Sequence, residues 1–268
     1  MNTIFDKIYI LSLISNKRRQ EFIRYQMEQL GLDFEFIYGI DFYNLKNGQT
    51  NNRFFYPKVI RHIYHHLDND KLYGCTIGHY QAVLQAYEFG YNNVLIIEDD
   101  ACFLKDKEII EEHLNNIPKD ADFVTYTARF LQSKECKIFR KEVNKFHKKH
   151  NDKYIKLSND YLTLCGTMCY GLMNRNIMKK YLDNQRIKLK AADHIKDIYE
   201  NSIVNRYIAV QAICTDQFNL ITKNKCNKKL FGCCYNQFNI IKNFDDFFEP
   251  EWYEISNINE FMNNSLSR

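Results

Sequence analysis

One stretch of the sequence decides the fold class: Val94-Leu95-Ile96-Ile97-Glu98-Asp99-Asp100. Four consecutive aliphatic residues are typical of a strand that is buried on both faces, as strands are inside a parallel sheet. Three carboxylates follow at the carboxyl end of this strand, which is the edge where open α/β sheets bind their ligands. The stretch therefore predicts an α/β protein whose ligand site lies at this edge of the sheet.

The adjacent carboxylates predict a metal site. They repel one another unless a divalent cation or hydrogen-bond donors stabilise them, and hard oxygen ligands suit Mg²⁺ or Mn²⁺. Because side chains alternate along a strand, we expect Glu98 and Asp100 to point to one side, where they would hold the ion against a diphosphate, and Asp99 to the other. Asp99 is then a ligand itself or an acid that supports the site. The alternative is a plain acidic turn, in which Asp is common.

The residues before this strand predict a β-α-β unit. Apolar residues indicate a strand over 8–13 and, at helical spacing, a helix over 17–30 with Gly31 as its stop. Alternation then indicates a strand over 34–40 that leads into Asp41. Such a unit implies a right-handed crossover and a parallel sheet.

The rest of the chain extends the same pattern into one domain. We predict a mostly parallel central sheet with helices on both faces over residues 1–220, and a C-terminal extension over 221–268. Residues 44–70 have no clean period and are predicted as a long loop. Further helices are predicted from Ile77 to Tyr87, over 108–116 and after the cap Asn174, and further strands over 123–127, 161–172 and 207–213.

Charge is concentrated in one segment. The formal net charge is +4, and Lys134 to Lys156 hold nine Lys/Arg against three acids. The rest of the chain is therefore slightly acidic, which argues against a general nucleic-acid-binding surface. This basic segment is either a contact for anionic lipid or a phosphorylated acceptor, or a solvated mobile loop.

Cysteine usage indicates a reducing compartment. The nine cysteines are an odd number in a large chain, and their spacings match no zinc pattern. Free thiols favour a cytoplasmic location. No signal peptide and no bilayer-spanning segment are expected from the sequence.

Several other side chains are candidates for chemistry, each with a simpler alternative. Arg18 and Arg19 follow the first strand and would pair with phosphate oxygens, unless they are solvated charges at a helix start. Asp41 would accept bonds from a nucleoside or serve a turn. His79, placed at a helix start, would bond a substrate hydroxyl or phosphate or simply pack. Asp193 suits a general base, although acids are common in loops.

These residues resemble the motifs of glycosyltransferase family 25, the lipooligosaccharide galactosyltransferase type. The resemblance covers roughly residues 5 to 215. Its motifs in this chain are Leu11-Ser12-Leu13 with Arg18-Arg19, Gly39-Ile40-Asp41-Phe42, Gly74-Cys75-Thr76-Ile77-Gly78-His79, Leu95-Ile96-Ile97-Glu98-Asp99-Asp100, and Gly166-Thr167 with Tyr170 and Asp193. The chain departs from the family at Ser12, where the family has Asn, at Gly78, where it has Ser, and at Leu72, where it has Glu.

The resemblance implies a fold, an activity and a set of roles. The fold would be GT-A-like, and the enzyme would invert configuration while moving galactose from UDP-galactose to a lipooligosaccharide or other bacterial surface glycan. Mn²⁺ or Mg²⁺ would lie between Glu98, Asp100 and the diphosphate, and Asp193 would be the base. The enzyme would act in the cytoplasm, with peripheral contact to the inner face of the membrane. The donor would be bound by Ser12, Leu13, Arg18, Arg19, Asp41, His79 and Asp99.

Three other functions stay open. The same fold can use another UDP-sugar, such as UDP-glucose or UDP-N-acetylglucosamine, because epimers differ by a few pocket contacts. A metal-dependent phosphotransferase or nuclease also holds its ion with acids at a strand end. A non-catalytic module would bind the nucleotide without transfer.

Overall fold

The fold is built on a seven-stranded sheet, with a second sheet of two strands. The computed structural model describes residues 3–39, 70–103, 107–126, 153–157, 168–187, 199, 204–209 and 213–216. Within these residues the helices are α1 (Lys17–Leu30), α2 (Asp70–Glu88), α3 (Lys107–Asn115) and α4 (Arg175–Ile187). The strands are β1 (Lys7–Leu13), β2 (Glu35–Gly39), β3 (Val94–Glu98), β4 (Ala101–Phe103), β5 (Phe123–Thr125), β6 (Tyr154–Lys156), β7 (Cys169–Leu172), β8 (Arg206–Ala209) and β9 (Cys214–Asp216).

The large sheet is mixed, with most strands in one direction. Its order is β2-β1-β3-β7-β5-β8-β6. The strands β1, β2, β3, β5 and β8 share one direction, whereas β6 and β7 run the opposite way. This confirms the predicted mostly parallel sheet, and β1 lies between its two parallel neighbours β2 and β3.

Helices cover both faces of the sheet, as predicted. Alternate residues of β1 and β3 belong to two separate apolar clusters. Ile10 and Ile97 pack in the cluster that contains residues of α1 and α3. Tyr9 and Ile96 pack in the cluster that contains residues of α2 and α4. All four side chains are fully buried, which explains why β3 is aliphatic throughout.

Two helix ends were predicted from local chemistry and are confirmed. Gly31 has a φ of 65°, a left-handed conformation that favours glycine, and its N–H donates to the carbonyl of Glu28 at 3.0 Å. At the start of α4, the side-chain carbonyl of Asn174 accepts a 2.9 Å hydrogen bond from the Ile177 N–H. This side-chain cap satisfies one of the backbone N–H groups in the first turn that have no partner within the helix.

Other predicted boundaries are wrong. The helix predicted from Ile77 begins at Asp70, because Gly74 and the polar residues around it hide the apolar period of its first turns. The strand predicted over 207–213 ends at Ala209, and β9 is a separate strand that pairs with β4 in the small sheet. A three-residue strand is too short to leave a periodic signal, so neither β4 nor β9 was expected.

The described end of the basic segment, residues 153–156, is not a mobile loop, while residues 134–152 lie outside the described part of the chain. Its last residues form β6, an edge strand of the large sheet that pairs with β8. Tyr154 is buried, while Lys153 and Lys156 form ion pairs with Glu112 and Asp120. Charge alone did not reveal that a buried aromatic residue holds this end of the segment on the sheet.

Some predictions concern residues outside the described part of the chain. These are Asp41, the loop over 44–69, the strand portion over 161–167, Asp193 and the extension over 221–268. Among the described helices, none has the length and apolar character to cross a bilayer.

Candidate active site

The site lies where three parallel strands end side by side. In the sheet register, Leu11 of β1 is opposite Glu98 of β3, and Leu13 is opposite Gly39 of β2. The turn after β1 is therefore next to the acidic turn formed by Asp99 and Asp100. This is the edge of the sheet at which the sequence predicts a ligand site.

Asp99 is the centre of a hydrogen-bond network that joins these two turns. Its Oδ2 accepts a 2.7 Å hydrogen bond from Ser12 Oγ and a 3.2 Å bond from Asn16 Nδ2. Its Oδ1 lies 3.2 Å from Arg19 Nη1, and its backbone N–H donates to the Leu11 carbonyl at 3.0 Å. The residue is only 5% exposed, so these donors stabilise a carboxylate that has little contact with water.

Gln20 extends this network, and neither Gln20 nor Asn16 was predicted. Gln20 Nε2 donates to the Leu13 carbonyl at 2.6 Å and lies 3.3 Å from Ser12 Oγ. Although Gln20 is in the first turn of α1, it is buried. A polar residue on the buried face of an otherwise amphipathic helix is the sequence signal that could have indicated this role.

Arg19 connects the network to Asp100. Its Nη1 lies 3.8 Å from Asp100 Oδ2 as well as 3.2 Å from Asp99. Arg19 is two-thirds buried, whereas its neighbour Arg18 is exposed. The structure thus separates the two predicted arginines: Arg19 supports the acidic turn, and the contact of Arg18 with phosphate stays a prediction.

Glu98 and Asp100 are partly exposed beside the buried Asp99. Their side chains are 28% and 29% exposed, against 8% for Asp99. Because Asp99 and Asp100 lie in a turn, strand alternation does not apply to them; the burial separates Asp99 from the other two acids instead. The contact of Asp99 with the donor stays a prediction. The hydrogen-bond partners that the structure shows for Asp99 are other residues of the chain.

His79 connects the core to Glu98. It is fully buried in the middle of α2, not at a helix start as expected. Its Nδ1 lies 3.0 Å from the Tyr170 hydroxyl, and its Nε2 lies 3.2 Å from Glu98 Oε1. Burial raises the pKa of Tyr170 well above its usual value, so the hydroxyl keeps its proton. These contacts fix the imidazole ring and hold the Glu98 carboxylate at the strand end.

The sequence matches the family model described as Glycosyltransferase family 25 (LPS biosynthesis protein) over residues 5–196, which is more than half of the 268 residues. The chain belongs to glycosyltransferase family 25. This confirms the family that the motifs resemble, and the protein is accordingly a glycosyltransferase. The matched residues contain the turn after β1, the acidic turn, His79 and Asp193.

A solved structure is also similar to this family 25 glycosyltransferase. It is a glycosyltransferase involved in the glycosylation of the major capsid of PBCV-1, with a TM-score of 0.41 and 10% identity. The similarity covers 79% of this chain and 82% of that chain. A search of curated proteins gave no match.

Potential metal ligands of the glycosyltransferase form a group that the sequence did not predict. In the described ranges, one set of three such side chains has its ligand atoms within 4.8 Å of one another: Cys75, His79 and Glu98. Glu98 therefore belongs both to this set and to the predicted pair with Asp100. Cys75 was missed because the helix was predicted to begin at Ile77. Since α2 begins at Asp70, Cys75 lies in the helix, one turn before His79.

Proposed function

We propose that this family 25 enzyme transfers a hexose, galactose from UDP-galactose, to a lipooligosaccharide or another bacterial surface glycan. The transfer would proceed on a GT-A-like fold with inversion at the anomeric carbon. The family description, LPS biosynthesis protein, supports a surface glycan as the acceptor. Within the structure, the proposal depends on the edge where β1, β2 and β3 end beside two partly exposed carboxylates.

The observation that carries the proposal is the different environment of three adjacent acids. Asp99 is held by Ser12, Asn16 and Arg19, while Glu98 and Asp100 keep more than a quarter of their side-chain surface exposed. Two accessible carboxylates on a rigid support fit the oxygen ligands that Mn²⁺ and Mg²⁺ require. We propose that Glu98 and Asp100 hold the ion. When bound, it would neutralise charge on the diphosphate leaving group.

The surrounding residues have supporting tasks in this proposal. The network around Asp99 keeps Ser12 and Leu13 in place, so that the turn after β1 presents a fixed backbone to the donor. Arg18 is exposed at the start of α1, where its guanidinium would bind a phosphate oxygen. Asp41 would accept a hydrogen bond from the nucleoside.

The acceptor side requires a base. We propose that Asp193 removes the proton of the acceptor hydroxyl while that oxygen attacks the anomeric carbon from the face opposite UDP. Asp193 lies in the part of the chain that matches the family. The basic segment would contact anionic lipid or the phosphorylated core of the acceptor at the inner face of the cytoplasmic membrane. Its end at Lys153 and Lys156 is already paired with acids, so the contact would involve the lysines before them.

Binding of UDP to the purified protein tests the proposal. UDP should bind with Mn²⁺ and much more weakly after chelation, and a screen of UDP-sugars should show that UDP-galactose is the donor that is hydrolysed or transferred. Transfer of glucose or N-acetylglucosamine instead would support glycosyl transfer but show that the donor is not UDP-galactose. Cleavage of a phosphoester without any sugar donor would favour a phosphotransferase and contradict the proposal.

A further inference from the structure

We propose that Cys75, His79 and Glu98 form a second metal site, with the ligands that a borderline cation such as Zn²⁺ prefers. A thiolate, an imidazole and a carboxylate make a typical zinc ligand set, whereas carboxylates alone suit Mn²⁺ or Mg²⁺. The proposed site shares Glu98 with the metal site proposed for glycosyl transfer, but zinc binding itself does not depend on the proposed function.

The helix places two of the ligands side by side. Cys75 and His79 are four residues apart on α2, a spacing that puts side chains on the same face one turn apart. The end of β3 supplies Glu98 to that face. All three ligand atoms lie within 4.8 Å of one another.

These separations are close to those that a zinc ion requires. Zinc bonds of about 2.0–2.3 Å at tetrahedral angles place pairs of ligand atoms roughly 3.3–3.6 Å apart. His79 Nε2 and Glu98 Oε1 are already 3.2 Å apart. Because the three ligand atoms lie within 4.8 Å of one another, the thiol of Cys75 would have to come closer to the other two by roughly 1.2–1.5 Å at most. A side-chain rotation provides such a movement.

Tyr170 prepares His79 for this role. Its hydroxyl lies 3.0 Å from His79 Nδ1, so Nε2 is the ring nitrogen that faces Glu98. Histidines that bind metals commonly have their second nitrogen fixed by such an outer partner. Tyr170 is fully buried and stacks against Phe123, with ring centroids 5.3 Å apart, which prevents the hydroxyl from moving away.

The site is accessible from one side. His79 is fully buried and Glu98 is mostly buried, whereas Cys75 is exposed and forms no disulfide. An ion would therefore enter past the thiol and bind its inner ligands afterwards. Three protein ligands leave a fourth position for water, as in zinc sites that stay open to solvent.

Sharing of Glu98 has a consequence if the proposed function is correct. A zinc ion bound by Cys75 and His79 would draw Glu98 away from Asp100 and weaken the binding of Mn²⁺ with UDP. The second site would then make the enzyme sensitive to zinc. This consequence rests on the proposed function, while zinc binding itself does not.

Cobalt substitution tests the site directly. The full-length protein, freed of metal by a chelator, would be titrated with Co²⁺, whose bond to a thiolate gives a charge-transfer absorption. We expect this absorption with one equivalent of Co²⁺ and its loss when Zn²⁺ displaces the cobalt. Cobalt binding without the thiolate absorption would overturn the proposal.

Three variants distinguish an effect on the metal site from a loss of the folded structure. Cys75→Ser should abolish the absorption and weaken zinc binding by about 100-fold or more, because loss of an outer partner alone costs about 10–100-fold. Tyr170→Phe keeps the ring and should weaken zinc binding by about 10-fold. Glu88→Gln, which removes an exposed carboxylate from the same helix, should change neither. Thermal unfolding would establish that each variant is folded, and wild-type zinc affinity in folded Cys75→Ser would overturn the proposal.

A competition experiment distinguishes the two proposals. Zinc should reduce UDP binding in the presence of Mn²⁺ for the wild type but much less for Cys75→Ser. If UDP does not bind with Mn²⁺ in any variant while the cobalt spectrum appears, the proposed function fails and the second site stands. If UDP binds and the cobalt spectrum is absent, the second site fails alone.

Discussion

Ser12 donates a 2.7 Å hydrogen bond to the carboxylate of Asp99, which lies 87 residues further along the chain. Both residues are buried, and the bond joins the turn after β1 to the turn after β3. Asn16 and Arg19 bind the same carboxylate. Asp99, the least exposed of the three adjacent acids, therefore joins the turn after β1 to the turn after β3.

The first prediction follows from this bond. Ser12→Ala leaves a buried charge with one donor fewer, and the free energy of unfolding should fall by about 1–3 kcal/mol. Ser15→Ala removes an exposed hydroxyl from the turn between β1 and α1 and should have little effect on the free energy of unfolding. Urea unfolding of the two variants measures the difference. Equal stabilities would show that the Ser12 hydroxyl does not support Asp99.

The second prediction concerns pH. Glu35 lies 2.7 Å from Lys7 Nζ and accepts a 3.0 Å bond from Gln85; the Lys7 bond is the main cause that holds the pKa of Glu35 below its usual 4.5. A carboxyl group whose pKa is lower in the folded than in the unfolded protein stabilises the folded state at pH values above its unfolded pKa. This stabilisation is lost as the pH falls through the pKa of the folded state.

Lys7→Gln should therefore lower the free energy of unfolding at pH 7 by less than about 1 kcal/mol, because Glu35 is partly exposed and solvent screens the pair. The difference from the wild type should shrink as the pH falls below 4.5, the usual pKa of Glu35. Denaturant unfolding between pH 7 and acid conditions measures it, with Lys17→Gln at an exposed position as the control. A difference that is constant with pH would exclude Glu35 as its source.

The third prediction concerns the basic segment. Lys153 and Lys156 already pair with acids, so the lysines to replace are Lys137, Lys141, Lys145 and Lys148. Their replacement by Gln should reduce binding to anionic vesicles but leave UDP affinity unchanged. Wild-type binding should fall with salt, since charges are screened beyond about 10 Å at 0.1 M. Equal binding to neutral and anionic vesicles would argue against a membrane contact.

The fourth prediction concerns the proposed base. Asp193→Asn should reduce transfer by about 100-fold or more, the usual effect of losing a positioned acid–base group. Its affinity for UDP with Mn²⁺ should be retained, because the base acts on the acceptor. Asp183→Asn, at a partly exposed acid on α4, is the matched control. Transfer near the wild-type rate by Asp193→Asn would place the base elsewhere.

The sequence was sufficient for the elements with strong local signals. The helix α1 has apolar residues at helical spacing and a glycine, Gly31, at its end, and both features are visible in the sequence. The strand β3 and the acids after it were also predictable. These features identify the edge of the sheet at which the site is predicted.

Contacts between distant residues were not predictable. The role of Asp99 depends on the chain turning at Asp99 and Asp100, whereas the alternation argument assumed a continuing strand. Cys75 was missed because Gly74 obscured the start of α2, and the one-turn spacing to His79 has meaning only inside a helix. The hydrogen-bond partners of Asp99 and the pairing of Cys75 with His79 both depend on tertiary packing, which a short-range sequence pattern does not contain.

Metal-dependent binding of UDP by Asp100→Asn tests the central claim most directly. Calorimetric titration would compare the wild type, Asp100→Asn and the control Asp33→Asn, which changes an exposed acid after α1, each with Mn²⁺ and with chelator. We expect the wild type and Asp33→Asn to bind UDP more tightly with Mn²⁺, and Asp100→Asn to lose this dependence while its thermal unfolding is unchanged. Full Mn²⁺-dependent UDP binding by Asp100→Asn would contradict the assignment of the metal to the acidic turn.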